Sequence, residues 1–243
     1  MLWLAVFFFG IALCYSSVGF GGGSSYTALL AAKGESAETI RQISLLCNVI
    51  VVLIGGIAGR ANLNKRLIVP LLLGSLPGVW LGAGWRLSEG SFLIVLAVAL
   101  TAAGLLLFVR VPESERVRVL SPGVLAGLGG ALGMVAGMTG IGGGIYLAPV
   151  LVFLRAGKAK EIAAVATWFI LLNSATGLAV ITASNGTEVI ENYLWLPVAV
   201  AAGGLIGARL LQGMFDEGLI RKITGVLILV VAVRLMMEVA RCC

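Results

Sequence analysis

The chain has 243 residues, 60% of them hydrophobic and 12% charged, with a mean hydropathy of +1.08, which excludes an ordinary soluble globular domain. A spanning helix needs roughly 20 apolar residues, so the length accommodates about ten closely spaced segments and leaves little for a soluble unit; one membrane domain over 1–243 is expected. The +6 formal charge arises from 17 basic and 11 acidic residues that sit almost wholly in short connections, where basic residues set orientation and imply no nucleic-acid partner.

The first apolar segment, at 1–15, has no basic stretch ahead of it and leads through a glycine-rich run into more apolar sequence, so it reads as part of the mature fold and not as a signal peptide. A short segment follows at 24–32, then longer ones at 40–58, 67–85 and 91–109. After a basic connection the pattern restarts. Segments at 122–138 and 144–154 are short and interrupted by glycine, and those at 162–183, 193–211 and 219–240 suffice to span with ordinary tilt.

Two matches point to an internal repeat. Gly19-Phe20-Gly21-Gly22-Gly23 resembles Gly140-Ile141-Gly142-Gly143-Gly144, and Gly78 to Ala83 resembles Gly203 to Ala208 at a similar spacing. The expected fold is therefore an all-α polytopic membrane helix bundle of two repeats, about 1–110 and about 121–240, each a glycine-broken short helix pair followed by three spanning helices. Basic residues cluster as Arg60, Lys65 and Arg66; Arg110, Arg116 and Arg118; Arg155, Lys158 and Lys160; and Arg209, Arg221 and Lys222. Placing all four clusters in the cytoplasm requires each broken pair to return to the side it came from, the first outside and the second inside, so the repeats are expected to be inverted.

Short, glycine-interrupted segments at matching places in two halves are the pattern of broken helices that meet near the membrane midplane around a ligand. Backbone that leaves helical geometry inside a bilayer is tolerable only where it is buried in protein or faces a guest. The helices beginning near Ser24 and Ile145 would each present free N–H groups and a positive dipole end, which suit an anion. The candidate binding residues are Gly21, Gly22, Gly23, Ser24 and Ser25 in the first half and Gly142, Gly143, Gly144 and Tyr146 in the second. Polar residues on the following helices could complete the site: Asn48, one turn from Ser44, in one half, and Thr167 and Asn173, beside Ser174, in the other.

Other chemistries find no support in the residues. Histidine is absent, and Cys14, Cys47, Cys242 and Cys243 have no metal-ligand spacing, so neither a metal nor another cofactor is expected. Ten of the eleven acids fall in loops or at helix ends, and Glu238 lies near the end of its segment; a side-chain proton relay, which needs an ionisable group in the membrane, is not expected. Without histidine or a Ser–Lys pair at matching depth, an intramembrane enzyme is not expected either.

The paired glycine motifs, with Pro149 after the second and Ala166-Thr167 in the next helix, resemble the sulfite exporter TauE/SafE family over nearly the whole chain. That resemblance implies a multi-pass protein of the bacterial inner membrane that moves sulfite, an organosulfonate or a related small anion. The partners it implies are the anion and the lipid bilayer, and a homodimer stands among the expected assemblies. The competing expectation is a membrane scaffold whose small residues only pack helices.

Overall fold

With no water in the hydrocarbon core to satisfy backbone N–H and C=O groups, an apolar segment must close its hydrogen bonds within itself. The computed structural model describes residues 2–18, 21–56, 62–85, 87–108, 117–210 and 217–242, and the regular structure in them is helical throughout. The helices are α1 (Leu2–Val18), α2 (Gly23–Lys33), α3 (Ala37–Gly56), α4 (Lys65–Gly84), α5 (Glu89–Phe108), α6 (Pro122–Thr139), α7 (Gly144–Phe153), α8 (Ala159–Asn185), α9 (Glu188–Asn192), α10 (Trp195–Leu210) and α11 (Glu217–Cys242). Gly19, Phe20, Arg60, Arg86, Arg110, Glu113, Glu115, Arg116 and Asp216 lie outside the described residues.

Each expected segment falls on one helix, and the chain is an all-α, multi-pass membrane protein. Among the described residues α3, α4, α5, α6 and α8 are long and apolar enough to cross a bilayer, while α1, α7 and α10 are shorter apolar helices. One length and one start depart from expectation. Helix α6, placed by sequence in a short pair, runs 18 residues from a Ser121 cap that accepts from the Val124 N–H to Gly140 in the left-handed region. Helix α10 starts at Trp195, because the short α9 and the turn at Tyr193 and Leu194 take up the approach to it.

Lipid tails are as apolar as leucine, so helix association in a membrane relies on close packing of small residues. Helices α4 and α6 touch backbone to backbone and run in the same direction: the Leu71 carbonyl lies against Gly129, Ser75 against Gly133 and Val79 against Gly137. Helices α1 and α10 do likewise, with Phe9 against Gly203 and Leu13 against Gly207. The glycines matched by sequence thus play equivalent parts. Gly78 and Gly82 press α4 onto α6, and Gly203 and Gly207 press α10 onto α1; each helix packs on the first helix of the other half.

Two other cross-half pairs run antiparallel. Along α3 and α8, Gln42 Nε2 donates to the Gly186 carbonyl at 3.3 Å, Leu45 lies against Gly177, and Asn48 Nδ2 donates to Ser174 Oγ at 2.9 Å. Along α5 and α11, Gly104 lies against Leu229 and Phe108 against Gly225.

The two glycine-broken pairs open toward opposite ends of the bundle. Phe8 stacks on Tyr26 at 4.6 Å and Ile11 lies against Gly22, so α2 returns along α1. Helix α2 ends at Lys33, whose Nζ sits 5.5 Å from the Tyr193 ring centroid just before α10. The second pair opens at the other end, where the Arg118 N–H donates to the Arg155 carbonyl at 2.8 Å. Leu67, Ala156, Leu151 and Ile162 share one cluster there, so Lys65, Arg66, Arg118, Arg155, Lys158 and Lys160 all gather at that end.

Candidate functional site

Helices α2 and α7 both begin inside the bundle, directly after a glycine run. Gly22 and Gly143 are their N-caps, and neither helix start receives a side-chain cap from its own cap residue. The two breaks use glycine for different reasons. Gly142 and Gly143 have φ of 81°, in the left-handed region that costs a residue with a side chain about 1–2 kcal/mol. Gly22 has φ of −89°, so glycine there provides space and not an unusual backbone angle.

That space is taken by Asn48, on which both breaks converge. Its Oδ1 accepts from the Gly23 N–H at 3.0 Å, and its Nδ2 donates to Ser174 Oγ at 2.9 Å. Asn48 thereby caps α2 from a different helix, satisfying one of the amide groups that a helix start leaves open. A methyl group added at Gly23 would stand 2.6 Å from the Ile141 carbonyl oxygen and 2.8 Å from Asn48 Nδ2. At Gly21 it would meet Asn48 Oδ1 at 2.5 Å, and at Gly142 it would meet Ser174 Oγ at 2.6 Å and overlap Asn48 Nδ2. Gly144 lies against Ile170, which also borders Gly21 and Gly142. The first and second breaks therefore meet across one asparagine, one serine and one isoleucine.

The other candidates divide by what their polar atoms do. Asn173, 1% exposed, accepts from Ser75 Oγ at 2.8 Å, and its Nδ2 is buried without a partner. Tyr146 is buried in α7 with its hydroxyl unpartnered. Buried polar groups are normally bonded, and leaving one unpaired costs about 1–3 kcal/mol, so these are groups with unused donor capacity. Thr167 donates its hydroxyl to the Ala163 carbonyl at 2.8 Å, a bond back to its own helix. Ser24 is buried in the first turn of α2. Ser25 turns toward Tyr15, 3.2 Å away, whose hydroxyl also meets Thr224; this cluster ties α2 to α1 and α11. Gly22 and Gly143 lie under the rings of Tyr26 and Phe169.

Three participants escaped the reading of the sequence. Ser75 was legible only as a lone hydroxyl in an apolar helix, and Ile170 and the Ile141 carbonyl carried no signal at all. Ser174 had been noticed as a neighbour of Asn173, yet it is Ser174 that pairs with Asn48. The arrangement brings two helix N-termini to a buried point lined by Asn48 and Ser174, and the positive ends of helix dipoles suit an anion.

The comparisons with known proteins agree with a transporter. A family model described as sulfite exporter TauE/SafE matches residues 3–235. The probable membrane transporter protein y4hK of Sinorhizobium fredii is 33% identical over 248 residues, covering 96% of this chain and 97% of that protein. No solved structure matches the chain significantly.

Proposed function

The chain belongs to the sulfite exporter TauE/SafE family of membrane transporters, and from that premise we propose that it carries a small anion, sulfite or an organosulfonate, across the bacterial inner membrane as a secondary transporter. The observation that carries this reading is the convergence of both glycine breaks on Asn48 and Ser174. Helix starts aimed at one buried point concentrate partial positive charge there without introducing a fixed cation, so a guest is held weakly enough to leave. The unpartnered Asn173 Nδ2 and Tyr146 hydroxyl supply further donors.

We read the two halves as inverted repeats. The reading is supported by the antiparallel course of α3 against α8 and of α5 against α11, and by broken pairs that open toward opposite ends. Rocking one repeat against the other around a fixed central site would then expose the anion alternately to the two sides. The end that gathers Lys65, Arg66, Arg118, Arg155, Lys158 and Lys160 is the cytoplasmic one on the positive-inside rule. Export of an anion down an inside-negative potential requires no proton relay.

The test is a thermal-shift titration of purified protein with sulfite, thiosulfate, sulfoacetate, sulfate and acetate at fixed pH and ionic strength, followed by flux into proteoliposomes. Selective stabilisation by one anion, together with saturable flux of the same anion, is expected. Silence toward all five in both assays favours the scaffold reading.

A further inference from the structure

The central site is approached by a polar face of α3 whose outer members, Arg41 and Ser44, none of the preceding chemistry uses. Arg41, Ser44 and Asn48 stand at i, i+3 and i+7, within about 60° of one another around the helix and about 10 Å from first to last. The same face follows the second glycine break: a methyl group added at Gly140 would stand 2.7 Å from Arg41 Cα, and one at Gly142 would meet Asn48. Toward the end of the bundle, Arg41 is only 9% exposed.

The Arg41 guanidinium is held rigidly. Its Nη2 donates to the Ala83 carbonyl at 2.5 Å and to the Gly137 carbonyl at 3.1 Å. These carbonyls belong to the last turns of α4 and α6, where the helix dipoles present their negative ends. One nitrogen is thus satisfied, but a guanidinium carries five N–H donors. Arg41 Nε is buried without a partner, and so is the hydroxyl of Ser44, which is wholly buried one turn further in. Among the described residues no carboxylate lies within ion-pair distance of Arg41. Glu38, the nearest acid along the helix, accepts from Gln42 Nε2 at 3.4 Å instead.

A buried cation with an unused donor is costly to maintain unless something pairs with it. We propose that Arg41 and Ser44 form a second anion site on α3, which takes the exported anion from Asn48 along the helix face toward the end opposite the basic cluster. The site rests on the transport reading above. Arg41 supplies the charge, fixed in place by the two helix C-termini, and Ser44 supplies the intermediate hydrogen bond. Glu38 at the mouth opposes the anion and tempers its affinity.

The experiment compares wild type, Arg41→Gln and Glu38→Gln in proteoliposome flux and thermal-shift titration, using whichever of the five anions stabilises the wild type. An ionic hydrogen bond is worth roughly tenfold or more in affinity, so the half-saturation concentration of Arg41→Gln is expected to rise by about that factor. Glu38→Gln is expected to lower it by about threefold, as removal of a half-buried like charge at the mouth does. Glu38→Gln leaves the α4 and α6 contacts of Arg41 intact, so it decides the matter if Arg41→Gln fails to fold. A residue that merely fastened three helices together would lower the anion-free melting temperature of Arg41→Gln and leave half-saturation unchanged; that result, or an unchanged or raised value in Glu38→Gln, overturns the proposal. Wild type silent to every anion removes the transport reading, and this site with it. Wild-type transport with both variants unaffected removes this site alone.

Discussion

Replacing Gly142 with alanine separates backbone strain from crowding at the site. Gly34 and Gly142 share a φ of 81°, so alanine at either position meets the same left-handed penalty of about 1–2 kcal/mol. Their surroundings differ completely. Around Gly34 an added methyl meets nothing within 4 Å, whereas at Gly142 it overlaps Asn48 Nδ2 and stands 2.6 Å from Ser174 Oγ. The Asn48 to Ser174 bond must part or the break must move, and overpacking of this kind costs about 1–3 kcal/mol. Gly142→Ala is therefore expected to be less stable than Gly34→Ala by about 1–3 kcal/mol, and to lose anion flux that Gly34→Ala keeps. Apparent melting temperature in detergent and proteoliposome flux measure the two effects. Equal melting temperatures, or equal flux, would refute the claim that the breaks converge on Asn48.

Asn48→Ala removes the acceptor of the Gly23 N–H and the partner of Ser174; a loss of about 1–3 kcal/mol is expected, with abolished flux, and thermal unfolding with and without anion checks it. Asn173→Ala is expected to weaken anion binding while expression stays normal, and an unchanged half-saturation concentration would remove Asn173 from the site. Gly22→Val and Gly143→Val should insert yet fail to transport, because the new side chains collide with Tyr26 and Phe169 at the two helix starts; flux in both variants would count against the paired breaks. On α6, Gly133→Val should prevent recovery of folded protein, since its side chain meets the backbone of Ser75, whereas Gly127→Ala, with nothing within 4 Å, should be neutral. Size-exclusion chromatography of the two variants tells them apart.

Membrane residence and the all-helical class were legible in the chain because they depend on a local property, apolar runs long enough to span. The match of Gly78 with Gly203 and Gly82 with Gly207 even foretold equivalent packing, since small residues every fourth position along a helix have few other uses in lipid. Partner choice was a different matter. Asn48 and Asn173 read alike in sequence, yet Asn48 joins both breaks while Asn173 turns one atom to Ser75 and leaves the other free. Thr167 and Ser25 read as ligands, yet one bonds its own helix and the other a tyrosine of α1. Arg41 lies at the start of the apolar segment 40–58, where nothing in the sequence says that it is buried against the ends of two helices. Composition and periodicity determine that a helix crosses the bilayer and which residues on it are polar. Which of those polar atoms meet is decided by the rotation and depth of each helix against its neighbours, and these follow only from the packing of the whole bundle.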